Sequence, residues 1–67
     1  MATVVIVKAS GGIYDINLSR VPIGGAVRLE GLSPEEETRV AKLSGLVKRG
    51  GVWKKALAYD RVSIPVK

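Results

Sequence analysis

Residues 33–49 read SPEEETRVAKLSGLVKR, and this stretch decides the fold. Ser33 is a natural N-cap, Pro34 stands at the first helical position and Glu36 at the third, which is the spacing of a capping box. Glu35, Glu36 and Glu37 gather at the positive end of the helix dipole, with Lys48 and Arg49 at the negative end. Glu35 and Arg39 stand four apart in the favourable order. Val40, Leu43 and Val47, with Leu46 beside them, form one apolar stripe at helical spacing. The spacing therefore predicts a helix over 33–49, stopped by Gly50 at the C′ position. Gly45, inside that span, costs about 1 kcal/mol relative to Ala and marks a close packing contact.

On the N-terminal side the residues predict three strands. Residues 26–30 (AVRLE) alternate, with Val27 and Leu29 facing in and Arg28 and Glu30 facing out. Residues 19–25 (SRVPIGG) form a loop, because Pro22 lacks an N–H and Gly24-Gly25 turns the chain. Residues 13–18 (IYDINL) put Tyr14, Ile16 and Leu18 on one face and Asp15 and Asn17 on the other. Residues 3–9 (TVVIVKA) are β-branched and apolar on both faces, as in a covered strand. Ser10-Gly11-Gly12 joins these last two as a hairpin.

On the C-terminal side, residues 52–60 (VWKKALAYD) fit two patterns. As a strand, Trp53, Lys55, Leu57 and Tyr59 share a face; as a helix, Val52, Ala56 and Tyr59 do. The strand is preferred, because a hairpin with the last segment is then simple. Residues 61–66 (RVSIPV) alternate with Val62, Ile64 and Val66 inward, and Pro65 makes this an edge strand. The expected fold is α+β in a single domain over 1–67. It is a small antiparallel sheet or partly open barrel of order β-β-β-α-β-β, alternatively β-β-β-α-α-β, with one helix packed on it.

Composition narrows the chemistry. The 67 residues contain no His and no Cys, so neither an imidazole base nor a thiolate nucleophile is available, and no metal-ligand spacing occurs. Neither a Walker pattern nor GxGxxG occurs, and Ser10-Gly11-Gly12 runs into a strand rather than a helix. The acids of 35–37 are explained by capping. Asp15 and Glu30, on strands, suit cross-strand ion pairs with Lys8 or Arg28 better than acid–base chemistry. No enzyme, cofactor or small-molecule substrate is expected. A membrane segment is not expected either, since no apolar run approaches the roughly 20 residues a span needs. No signal-peptide pattern is read at the N-terminus, and the cytoplasm, or a particle assembled there, is the expected compartment.

Charge is the informative feature. The formal net charge is +5, and residues 39–55 hold Arg39, Lys42, Lys48, Arg49, Lys54 and Lys55 with no acid among them. Clustered cations attract a phosphate backbone through counterion release, and a Trp face such as that of Trp53 can stack on a base. The same residues have a structural explanation: Lys48 and Arg49 complement a helix end, and Trp53 is the largest core residue present. The function expected is a small basic nucleic-acid-binding protein, architectural or regulatory, taking DNA ahead of RNA, with those six cations and Trp53 as its contacts. The alternative is a structural or assembly subunit of a homo-oligomer, such as a phage or virus particle component, joined through Val62, Ile64 and Val66 of the edge strand.

One short resemblance runs from Met1 to Ser19. Met1-Ala2-Thr3-Val4, then Asp15-Ile16 and Ser19, look like the opening of the seven-kilodalton archaeal chromatin proteins, small basic SH3-like barrels that bind duplex DNA. It ends there: apolar Val5, Ile6 and Val7 replace that family's lysine-rich first hairpin, its intercalating aromatic has no counterpart at 21–27, and its helix is C-terminal. The chain is not assigned to that family, and no residue role is carried over.

Overall fold

A computed structural model describes residues 2–66. Among them the chain forms seven strands and one helix: β1 (Thr3–Ile6), β2 (Lys8–Ser10), β3 (Ile13–Asn17), β4 (Ala26–Glu30), α1 (Pro34–Leu43), β5 (Leu46–Arg49), β6 (Val52–Lys55) and β7 (Arg61–Pro65). The strands make a four-stranded sheet, β1-β4-β6-β5, and a three-stranded sheet, β2-β3-β7, which do not close into a barrel. This is a small α+β fold with one helix packed on a sheet.

The helix starts where its sequence says. Ser33 is extended (φ −69°, ψ 160°) and its hydroxyl accepts the Glu36 N–H at 3.4 Å, with Pro34 in the first turn. The Glu36 carboxylate turns instead to Arg39, 3.3 Å away. The helix ends earlier than expected. Ser44 is its C-cap, and Gly45 takes φ +78°, donating its N–H to the Lys42 carbonyl at 3.3 Å. The close contact at Gly45 is real: a Cβ there would sit 2.9 Å from Leu57 Cβ. Of the expected stripe, Val40 and Leu46 are buried while Leu43 and Val47 are exposed. Residues 46–49 are a strand, so Lys48 and Arg49 do not cap a helix.

The first expected strand is divided at Val7. Its first half, β1, pairs in parallel with β4 (Val5↔Leu29), and Val7 extends that ladder by donating to the Glu30 carbonyl at 2.9 Å. Its second half, β2, makes the expected antiparallel hairpin with β3 (Ala9↔Tyr14). Val5 in β1 and Val7 at the junction of the two sheets therefore point to one core, and Val4, Ile6 and Lys8 point outward. Residues 52–60 are a strand only as far as Lys55. β6 pairs with β4 and β5, not with the last segment, and β7 pairs with β3 through Ile16↔Val62 and its neighbours. The core collects Val5, Ile16, Val27, Leu29, Leu46, Trp53 and Ile64 from the strands, Val40 and Ala41 from the helix, and Val7, Leu18 and Val21 from the segments between strands.

Candidate nucleic-acid interface

Cross-strand partners in a ladder share a face. In the β5–β6 hairpin the register Leu46↔Lys55 and Lys48↔Trp53 sets one face, toward the core, and Val47↔Lys54 and Arg49↔Val52 set the other. The turn is Gly50-Gly51, both with positive φ (59° and 79°), the two-residue geometry that matches strand twist. A Cβ added at either glycine would meet nothing within 4 Å, so the tip stands in open space. β4 supports β6 only at Ala26↔Lys54 and Val27↔Trp53, whereas β5 and β6 pair out to Arg49↔Val52. The β5–β6 hairpin is a two-stranded ribbon at the edge of its sheet, and only its tip, residues 49–52, extends past the pairs with β4.

The seven residues expected to contact nucleic acid separate into distinct groups. Lys48 and Arg49 are exposed on the ribbon and Lys54 is half-buried on its outer face; Lys42 is exposed in the last turn of the helix. Among the described residues none of these four makes an ion pair or a side-chain hydrogen bond. Lys48 Nζ instead lies 5.2 Å from the centroid of the Trp53 ring, a cation–π contact. Trp53 itself is 7% exposed and belongs to the core, so its ring is not offered to a base.

Lys55 and Arg39 are withdrawn from the contact set by their surroundings. Lys55 is 4% exposed, and its ammonium donates to the carbonyls of Leu18 at 3.1 Å and Val21 at 2.8 Å, with Asp60 Oδ1 at 3.8 Å. Arg39 donates to the carbonyls of Pro65 at 2.6 Å and Val66 at 3.0 Å, besides pairing with Glu36. These two cations hold the fold: one fixes the 18–21 loop and the other blunts the open end of β7.

Arg28 was not among the expected contacts, yet it is exposed on β4 on the same face as Lys54 and pairs with Glu30 at 3.7 Å. Its outward position is visible in the alternation of AVRLE. A shallow groove of about 240 Å³ brings Arg28 together with Lys48, Val52 and Trp53, with Glu37 the one acid on its wall. A larger open groove, about 620 Å³, lies on the three-stranded sheet between Lys8, Asp15, Asn17, Arg61 and Ser63. Its charges are mixed, and Ser63 donates to Asp15 at 3.4 Å. It lacks the one-signed character of the ribbon.

Of the expected interface residues, Val62 and Ile64 lie in β7, which is the edge of its sheet, while Val66 falls just past the strand and donates its N–H to the Gly12 carbonyl at 2.8 Å. Ile64 is 3% exposed, however, and Val62 packs against the same core. Ile64 thus belongs to the chain's own interior, and Val62 is half-buried against it. No helix among the described residues is long and apolar enough to cross a membrane, and no group of three or more acidic residues gathers there as in a metal site. Comparison with protein-family models, with curated proteins and with solved structures finds no match, so function rests on the geometry of the chain itself.

Proposed function

We propose that this chain is a small nucleic-acid-binding module, architectural or regulatory, which acts by binding rather than by catalysis. Its contacts are Lys48, Arg49 and Lys54 on the ribbon, with Arg28 beside them and Lys42 as an outlying cation. The observation that carries the reading is the β5–β6 ribbon with its projecting Gly50-Gly51 tip, whose cations Lys48, Arg49 and Lys54 have no acid partner among the described residues. Unpaired cations on a raised element attract a polyanion, and each one that touches a phosphate adds to the salt dependence of binding. A salt titration of oligonucleotide binding tests it, with the unaltered chain beside Lys48→Ala/Arg49→Ala/Lys54→Ala.

A second reading has its own observation. Val4 and Ile6, 50% and 64% exposed, stand outward on β1, an edge strand without a charged residue or proline. Such an edge is open to pairing with another chain. That supports a subunit of a homo-oligomeric assembly, with β1 rather than β7 as the joining edge. Light scattering of Ile6→Lys beside the unaltered chain tests it: a smaller mass for the variant supports this reading, and a monomer in both cases removes it.

A further inference from the structure

We infer that the nucleic acid taken by this chain is double-stranded DNA, with the β5–β6 ribbon entering the major groove. The inference rests on the nucleic-acid reading above and names the class of ligand.

Three features point to a duplex groove. The cations of the ribbon lie on both of its faces, Lys48 exposed on the core-facing side over the Trp53 ring and Arg49 and Lys54 on the outer side. A groove has a phosphate wall on each side, and a ribbon lying in it needs cations on both. The B-form major groove is about 12 Å wide and admits a two-stranded ribbon, whereas the major groove of A-form RNA is deep and narrow. The tip is also free of obstruction, since nothing lies within 4 Å of a Cβ at Gly50 or Gly51. Val52, exposed opposite Arg49, supplies an apolar contact of the kind that reads a thymine methyl.

Single strands are held differently, by aromatic platforms under successive bases. This chain has no such platform on the ribbon. Trp53 is buried beneath Lys48, and Tyr14 is half-buried against the core. Tyr59 lies against Gly45, at the end of β5 away from the tip. The fold also contains its own comparison. Gly11-Gly12 makes the same turn, with φ of 59° and 78° and nothing within 4 Å. Yet in that hairpin Lys8 stands opposite Asp15, and among the described residues no cation stands at the tip. Of two similar ribbons, the described residues put charge suited to a groove on β5–β6 alone.

The test uses the unaltered full chain and four probes at matched low salt: a duplex DNA, each of its separated strands, and the same sequence as duplex RNA. Duplex DNA is expected to bind about tenfold more tightly than the others, the scale of one good groove contact. Methyl green, a major-groove ligand, should displace the protein, and netropsin in the minor groove should leave it bound. Equal or tighter binding of a single strand or of duplex RNA, or displacement by netropsin alone, overturns the inference and leaves the nucleic-acid reading standing. No binding to any probe overturns both.

Discussion

The ammonium of Lys55 donates to the main-chain carbonyl of Val21 across a 2.8 Å bond, inside the protein, while Lys54 one residue earlier lies on the outer face. Two adjacent lysines of one basic run thus do different work. Strand alternation separates them, and the 18–21 loop supplies two carbonyls where a buried cation can be satisfied.

Replacing Lys55 by Met keeps an unbranched side chain one atom shorter and leaves those carbonyls without their donor. A stability loss of about 2 kcal/mol is expected, with no change in the salt dependence of oligonucleotide binding. Urea unfolding and a salt titration of the same variant check this. A variant of unaltered stability but weakened binding would reverse the assignment.

Gly45 and Gly50 share a positive φ but not an environment. At Gly45 an added Cβ also collides with Leu57, so Gly45→Ala should cost about 3 kcal/mol, near the upper end for backbone strain with a forced shift. Gly50→Ala meets open space and should cost about 1 kcal/mol, from the left-handed backbone alone. Equal losses for the two substitutions, measured by thermal unfolding, would show that the Leu57 contact is not tight.

Ser44 is completely buried, and its hydroxyl meets no hydrogen-bond partner among the described residues. Removing an unsatisfied buried polar atom recovers its desolvation, so Ser44→Ala should raise stability by about 1 kcal/mol. A lower unfolding midpoint in denaturant for this variant would contradict the environment described for the side chain.

Partial burial, followed by the nearby Glu36 carboxylate, pushes the Tyr14 phenol above its ordinary value of 10.0, while Arg39 acts in the opposite sense. The folded state therefore holds the proton more firmly than the unfolded one. Its contribution is fully present below the unfolded pKa and is lost as pH rises through the folded one. In a Tyr59→Phe background, phenolate absorbance should follow Tyr14 alone, and adding Glu36→Gln should lower its midpoint. An unchanged midpoint would remove Glu36 as a cause.

Local signals in the sequence were enough for the helix start, the alternating strands at 13–17 and 26–30, and the edge character of β7. They failed at the helix end, where two stop signals compete. Leu46 and Val47 continue the helical period and Lys48-Arg49-Gly50 imitates a C-terminus, while the true stop is Ser44-Gly45. The parallel pairing of β1 with β4 is a non-local choice that leaves no local mark. Within the candidate site, the acid-free run of residues 39–55 was legible as a whole, but its division was not. Lys55 and Arg39 are held by main-chain carbonyls of Leu18, Val21, Pro65 and Val66, and backbone acceptors have no signature in side-chain identity. The projecting ribbon emerged only when 46–49 proved to be a strand.

The most direct measurement compares the unaltered chain with Lys48→Ala/Arg49→Ala/Lys54→Ala in oligonucleotide binding across a salt series, with circular dichroism to establish that both are folded. All three substitutions lie on the ribbon, outside the core. The variant is expected to bind more weakly, with a slope of log K on log salt shallower by about 0.9 for each cation that touches a B-form phosphate. A folded variant that binds with the same affinity and the same slope would contradict it.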